Sequence, residues 1–182
     1  TMRRYAGKIS QGVRAVDDIV KALLGFARPA DKPVSSAPLA EVIDRIAMSV
    51  NLPRTRWQLR GATEVHVDAD ALGRVMSNLI RNALEATPSA RLSMDATVQN
   101  GELELLVEDD GPGVSAEVAQ TVFEPFVSTK QRGTGLGLAL STRVLSFLGG
   151  GLELLNPGQP GARFRVRIPI ASSQPSMAEA SA

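Results

Sequence analysis

Ile9, Val13, Val16, Val20, Leu23 and Ala27 recur alternately four and three residues apart. That is the 3.5-residue period of a coiled-coil or bundle seam, and it predicts one helix over residues 1–28. Arg14, Asp17, Asp18 and Lys21 fall between the seam positions and can face water. A single amphipathic helix cannot bury its own stripe. It needs partner helices or the surface of its own globular domain. Pro29 and Pro33 stop the pattern and open a linker over 29–35, inside a Pro-, Ser- and Ala-rich stretch that reaches Pro38.

Beyond the linker the pattern turns α/β. Leu39, Val42, Ile43 and Ile46 predict an amphipathic helix from Leu39 to Val50. Arg54 to Arg60 and Glu64 to Val67 are short strand candidates. Leu72, Val75, Met76, Leu79, Ile80 and Leu84 stand at helical spacing and predict a helix from Ala69 to Ala86, with Asp68 as its N-cap. Arg91 to Gln99 and Glu102 to Glu108 read as a hairpin across Asn100-Gly101, a strong turn signal. Loop-like sequence runs on to about residue 134, broken by a short helix at Ala116 to Val122. A helix from Leu136 to Leu148 and strands at Leu152 to Leu155 and Ala162 to Ile168 close the domain. Residues 171–182 are Ser, Ala, Pro and Gln rich and are expected to be disordered.

Composition removes several classes of function. The chain has 182 residues, 20 Lys+Arg against 19 Asp+Glu, and a formal net charge of +1. Bulk charge therefore gives no grip on nucleic acid. With no cysteine there are no disulfides, cysteine nucleophiles or cysteine zinc sites. His66 is the only histidine, which excludes a His-cluster metal site. No apolar run approaches the roughly 18 residues of a membrane span. The expectation is a soluble, cytoplasmic piece without membrane contact, any anchor lying elsewhere in the full-length protein.

Three stretches carry candidate chemistry. Val107-Glu108-Asp109-Asp110-Gly111-Pro112-Gly113-Val114 ends a strand. Gly133-Thr134-Gly135-Leu136-Gly137-Leu138 leads into a helix. Glycines before a helix let a ligand approach the backbone, and the helix N-terminus offers N–H groups to an anion such as phosphate. The second string is neither a P-loop, because GxxxxGK[ST] is absent, nor a convincing dinucleotide fingerprint, because it follows a long loop. Third, Asn78, Asn82 and Glu85 share one helix face. A carboxamide oxygen suits Mg²⁺ beside phosphates. These side chains can equally cap backbone or face solvent.

Taken in order, these stretches resemble the catalytic, ATP-binding domain of sensor histidine kinases, a branch of the Bergerat-fold ATPases. Asp68 to Ala83 is similar to the family's N-box, Asp109-Asp110-Gly111-Pro112-Gly113 to its G1 box and Phe123 to Lys130 to its F-box. Gly133 to Leu138 is similar to its G2 box, and Gly149-Gly150 to its final glycine pair. The resemblance implies a two-layer α/β sandwich over 36–170, a mixed sheet of about five strands under about three helices, preceded by one long helix. It also makes 1–28 the second helix of a dimerisation hairpin whose first helix, bearing the phosphoacceptor histidine, is not in this chain. His66 lacks the context of that histidine. The implied partners are a response-regulator receiver domain and, through the hairpin helices, a second copy in the full-length protein.

The same resemblance implies individual roles. Asp109 would accept a hydrogen bond from the exocyclic amine of adenine. Asn82 would bind Mg²⁺. Asn78 stands where related gyrase-type ATPases carry a catalytic glutamate, and an amide there favours a kinase over a hydrolase. Glu85 would orient the metal or a lid cation, or face solvent. Gly111 and Gly113 would let the nucleotide approach the backbone. Gly133, Thr134, Gly135, Leu136, Gly137 and Leu138 would present the phosphate-facing helix start. Residues 115–134 would form the ATP lid, with Thr129, Lys130 and Arg132 as its phosphate contacts. Phe123 and Phe126 would anchor the lid by packing. The implied activity is transfer of the γ-phosphoryl group of ATP to a histidine outside this chain, for relay to a regulator aspartate. The piece alone would bind nucleotide without phosphorylating itself. The alternative is a degenerate Bergerat-fold module that works by binding alone.

Overall fold

The computed structural model describes residues 35–130 and 133–170. The seam over 1–28, most of the linker, Gln131, Arg132 and the tail lie outside the described residues. The first element among the described residues is a strand, β1 (Ser36–Pro38), at the start of the predicted domain. Helix α1 (Leu39–Ser49) follows at once and buries Leu39, Val42, Ile43 and Ile46, the positions its periodicity selects. A single 3₁₀ turn at Arg54–Arg56 then leads into β2 (Trp57–Gly61). The sequence pattern read 54–60 as one strand. The turn forms because Arg56 is drawn sideways: its guanidinium donates to the carbonyls of Pro88 and Ala90 at 2.7 Å each. Arg54 stacks over the Trp57 ring, 3.7 Å from its centroid.

Strand β3 (His66–Asp68) pairs antiparallel with β1, so that His66 lies opposite Pro38. The sequence placed this strand at 64–67; pairing with β1 shifts it. Asp68 then caps α2 (Ala69–Ala86), accepting from the N–H groups of Asp70 and Ala71 at 3.1 and 3.0 Å. These bonds satisfy two of the four donors that a helix start leaves free. Strands β4 (Leu92–Gln99) and β5 (Glu102–Asp109) form the expected hairpin. Asn100 and Gly101, at φ 53° and 75°, supply the two left-handed residues of its turn. The short helix is only α3 (Ala116–Ala119), capped by Ser115 Oγ. Helix α4 (Gly137–Phe147), β6 (Gly151–Leu154) and β7 (Arg163–Pro169) complete the described residues.

The main sheet has five strands in the order β2-β4-β5-β7-β6, parallel between β2 and β4 and antiparallel elsewhere. Alternation puts Met94, Ala96, Leu103, Leu105, Val107, Phe164, Val166 and Ile168 on its inner face, all buried. Helices α1, α2 and α4 cover that face, with α2 between the other two and carrying buried Leu72, Val75, Met76, Leu79 and Ile80. Charged pairs decorate the outer face, among them Arg163–Glu108 at 3.0 Å and Arg165–Glu153 at 3.2 Å. The result is the two-layer mixed α/β sandwich that the resemblance implies. The candidate site residues lie at the end of β5, on the last turns of α2 and at the start of α4. No helix among the described residues is long and apolar enough to cross a membrane.

Candidate nucleotide site

Asp109 is the last residue of β5 and is held from two sides. Its Oδ1 accepts from Gly111 N at 2.8 Å and Ala162 N at 3.3 Å. Its own N–H donates to the Ala162 carbonyl at 3.1 Å. With Oδ1 committed to the backbone, Oδ2 is the carboxylate oxygen left for a ligand. A fixed acceptor of this kind recognises a donor and rejects a carbonyl, because facing acceptors leave both groups unpaired. Asp110 does a different job: its carboxylate accepts from Arg91 N at 2.8 Å and ties the strand end to β4.

The loop that follows is pinned to a second loop, 155–162. Gly161 N donates to the Gly111 carbonyl and Gly158 N to the Val114 carbonyl, both at 2.7 Å. Gly113 has φ +77°, and a Cβ there would collide with the Gln159 carbonyl oxygen. The sequence reading made Gly113 a glycine for nucleotide approach; the structure shows protein backbone pressed against it. Asn156 shapes the partner loop. It donates to the Gly161 carbonyl at 2.7 Å and accepts from Arg163 N at 2.8 Å, setting Ala162 against Asp109. Neither Asn156 nor Ala162 stands out in the sequence as a site residue. The Asn-Pro-Gly turn signal at 156–158 was the only available pointer to the first.

Asn78, Asn82 and Glu85 do share one face of α2. Asn78 Nδ2 donates to Ser141 Oγ at 3.1 Å, and Ser141 donates in turn to the Gly137 carbonyl at 2.9 Å. Ser141 is a buried polar side chain one turn into α4. Gly137 stands so close to the Asn78 amide that a Cβ would overlap it. Asn78 therefore clamps α2 to the first turn of α4. Ser141 was also missed, since nothing in the sequence joins it to a residue 63 positions away.

The start of α4 carries no side-chain cap. Its opening N–H groups and dipole end thus remain available for an anion. Thr134 Oγ1 accepts from Leu136 N at 3.4 Å. Leu136 is buried and Leu138 packs against the core, so these two can serve a ligand through backbone only.

The stretch from Ser115 to Lys130 leads toward this end of the domain. Phe123 packs on the core. Phe126 does not: it is 69% exposed and has φ +68°, so the expectation that it anchors the lid by packing is corrected. Its backbone is trapped instead. Phe126 N donates to the Gly135 carbonyl at 3.0 Å, and Gly135, at φ +67°, leaves no room for a Cβ against Val127 N and O. This contact fixes an aromatic residue in a region that L side chains disfavour. Thr129 is exposed. Lys130 reaches back across the site to Glu85 Oε2 at 2.7 Å, Asn82 Oδ1 at 3.2 Å and the Asn82 carbonyl at 3.5 Å. Glu85 also lies 4.0 Å from Arg81.

Asp109 at the end of β5, the uncapped start of α4, and Asn82 with Lys130 beside it are the candidate site residues. Residues 67–172 match the family described as histidine kinase-, DNA gyrase B- and HSP90-like ATPase. The chain belongs to this ATPase family. Within it, the chain is 38% identical over 122 residues to the sensory histidine kinase/phosphatase NtrB of Rhodobacter capsulatus, covering 59% of this chain and 34% of that one. It is 26% identical over 178 residues to sporulation kinase D of Bacillus subtilis, covering 93% of this chain and 35% of the relative. Full-length ShkA, solved in complex with AMPPNP, superposes with a TM-score of 0.69 at 25% identity, over 94% of this chain and 39% of that one. The chain thus spans about a third of the length of these relatives.

Proposed function

We propose that this domain binds ATP with Mg²⁺ and donates the γ-phosphoryl group to a histidine outside residues 1–182, as the ATP-binding part of a sensor histidine kinase. The observation that carries the reading is the Asp109 carboxylate, whose Oδ1 is locked by two backbone N–H groups while Oδ2 stays available. Oδ2 would accept from the exocyclic amine of adenine. The uncapped start of α4 would meet the phosphates.

The metal site fits the residues present. No group of three or more His, Cys, Asp or Glu side chains that could hold a metal occurs among the described residues. A hard cation would therefore use the Asn82 carboxamide oxygen together with phosphate oxygens, an arrangement usual for Mg²⁺. The contact of the Lys130 ammonium with Asn82 Oδ1 at 3.2 Å supports this reading. Bound Mg²⁺ would neutralise phosphate charge; orientation and exclusion of water fall to the protein.

In the transfer, the bond between the bridging oxygen and the γ-phosphorus breaks and ADP keeps the electron pair. The unprotonated nitrogen of the acceptor imidazole bonds to phosphorus, and the proton on its other ring nitrogen passes to solvent. Lys130, leaving Glu85, would follow the charge that develops on the phosphoryl oxygens. Asn78 cannot act as a general base, and its amide is committed to Ser141. Water is therefore not activated, which favours transfer to a partner over hydrolysis. The whole protein would pass the group on to a response-regulator aspartate and would dimerise through hairpin helices.

Labelled ATP tests the assignment of the acceptor. His66 lies in β3, exposed and remote in role from the site. Incubation of this chain with γ-labelled ATP is expected to leave no alkali-stable, acid-labile label on protein, and to release phosphate only slowly. Stoichiometric label on His66 would contradict the reading.

A further inference from the structure

Lys130 stands where the proposed site calls for a cation before any ligand is present. Its ammonium touches the Asn82 oxygen and is paired with Glu85. The reach is organised by the backbone. Lys130 N donates to Ser128 Oγ at 3.1 Å, and Gly133 N donates to the Lys130 carbonyl at 3.2 Å. The side chain is only 34% exposed, so the pair is partly shielded from water. An ammonium and a divalent metal cannot share Asn82 Oδ1. Like charges at that separation repel strongly in a half-buried site.

We propose that Lys130 is the resident cation of the Asn82 oxygen in the nucleotide-free domain, latched by Glu85, and that loading with metal-bound nucleotide exchanges the ammonium for the metal. The inference rests on the reading of Asn82 as metal ligand and adds how that site is regulated. Glu85 becomes a positioning residue: it acts on Lys130, not on the metal. Because every metal ion must displace an intramolecular cation, the strength of the Glu85 latch sets how much Mg²⁺ improves nucleotide binding. The displaced ammonium is freed next to the incoming phosphates. The alternative, Glu85 as a direct metal ligand, predicts the opposite response to its removal.

The test is the affinity for AMPPNP, by calorimetry, in saturating Mg²⁺ and in EDTA, for the unaltered chain, Glu85→Gln, Lys130→Gln and Asn82→Ala. The quantity read is the metal gain, the Kd in EDTA divided by the Kd in Mg²⁺. Glu85 and Lys130 lie at the surface, and circular dichroism checks that the variants fold. Glu85→Gln and Lys130→Gln are each expected to raise the metal gain by about two- to five-fold, the range of a partly exposed ion pair. Lys130→Gln also weakens binding in EDTA, since a phosphate-neutralising cation is lost. An unchanged gain in both variants overturns the exchange, and a reduced gain in Glu85→Gln overturns it in favour of direct metal ligation. Asn82→Ala separates loss of the metal site from loss of the latch. It is expected to bring the gain close to one, and an undiminished gain there removes the metal reading itself.

Discussion

Asp109→Asn is expected to weaken ATP binding by about ten- to a hundred-fold, the worth of one charge-assisted hydrogen bond. The substitution preserves shape. An asparagine oxygen can still accept from Gly111 N and Ala162 N, which keep their positions on the loop. The second atom then becomes an NH₂ group facing the amine of adenine, donor against donor. Flipping the amide only moves the conflict onto the two backbone N–H groups. Folding should therefore be nearly intact while recognition fails, and selectivity for ATP over GTP should shrink. Calorimetric titration with both nucleotides, beside a urea melt, reads the two effects separately. A variant that binds ATP as the unaltered chain does would remove Asp109 from the base pocket.

Gly113→Ala is expected to destabilise the domain by about 2–5 kcal/mol. A left-handed alanine costs about 1–2 kcal/mol, and forcing apart packed groups adds about 1–3 kcal/mol. The obstructing atom is the backbone carbonyl of Gln159, which cannot swing away as a side chain could. The loop that must yield is the one that holds Ala162 against Asp109, so nucleotide affinity should fall with stability. Denaturant unfolding should show a lower midpoint at unchanged slope. Gly73→Ala is the control within the same experiment. A Cβ on Gly73 meets nothing within 4 Å, and it sits inside α2. That change should stabilise by about 0.5–1 kcal/mol. Equal effects at the two glycines would mean that backbone crowding at Gly113 is not what holds the loops together.

The parts of the domain that were legible in the sequence are those decided locally. Helix α2 begins and ends where its apolar spacing and the Asp68 cap place it, because both signals lie within one segment. The β4–β5 hairpin was legible for the same reason, since Asn100-Gly101 alone selects its turn. Contacts from afar decided the rest. Strands β1 and β3 are three residues each and exist by pairing with one another, a signal no window of sequence contains. The turn at 54–56 follows from Arg56 reaching the carbonyls of Pro88 and Ala90. At the site, Asp109, Asn82 and the glycines could be picked out as residue types in order. Their tethers could not: Ser141 behind Asn78, Ala162 and Asn156 behind Asp109, and the Gln159 carbonyl against Gly113. Phe126 shows the opposite error. A large apolar residue reads as core, yet Gly135 traps its backbone and turns the ring to solvent.

The central claim is that the end of β5, the last turns of α2 and the start of α4 form one adenine-nucleotide site. Calorimetric titration of the unaltered chain with AMPPNP in Mg²⁺ tests it most directly, with the guanine analogue run in parallel. The expected result is one bound nucleotide per chain and clear preference for adenine. Absence of binding, or equal binding of the two bases, would contradict it.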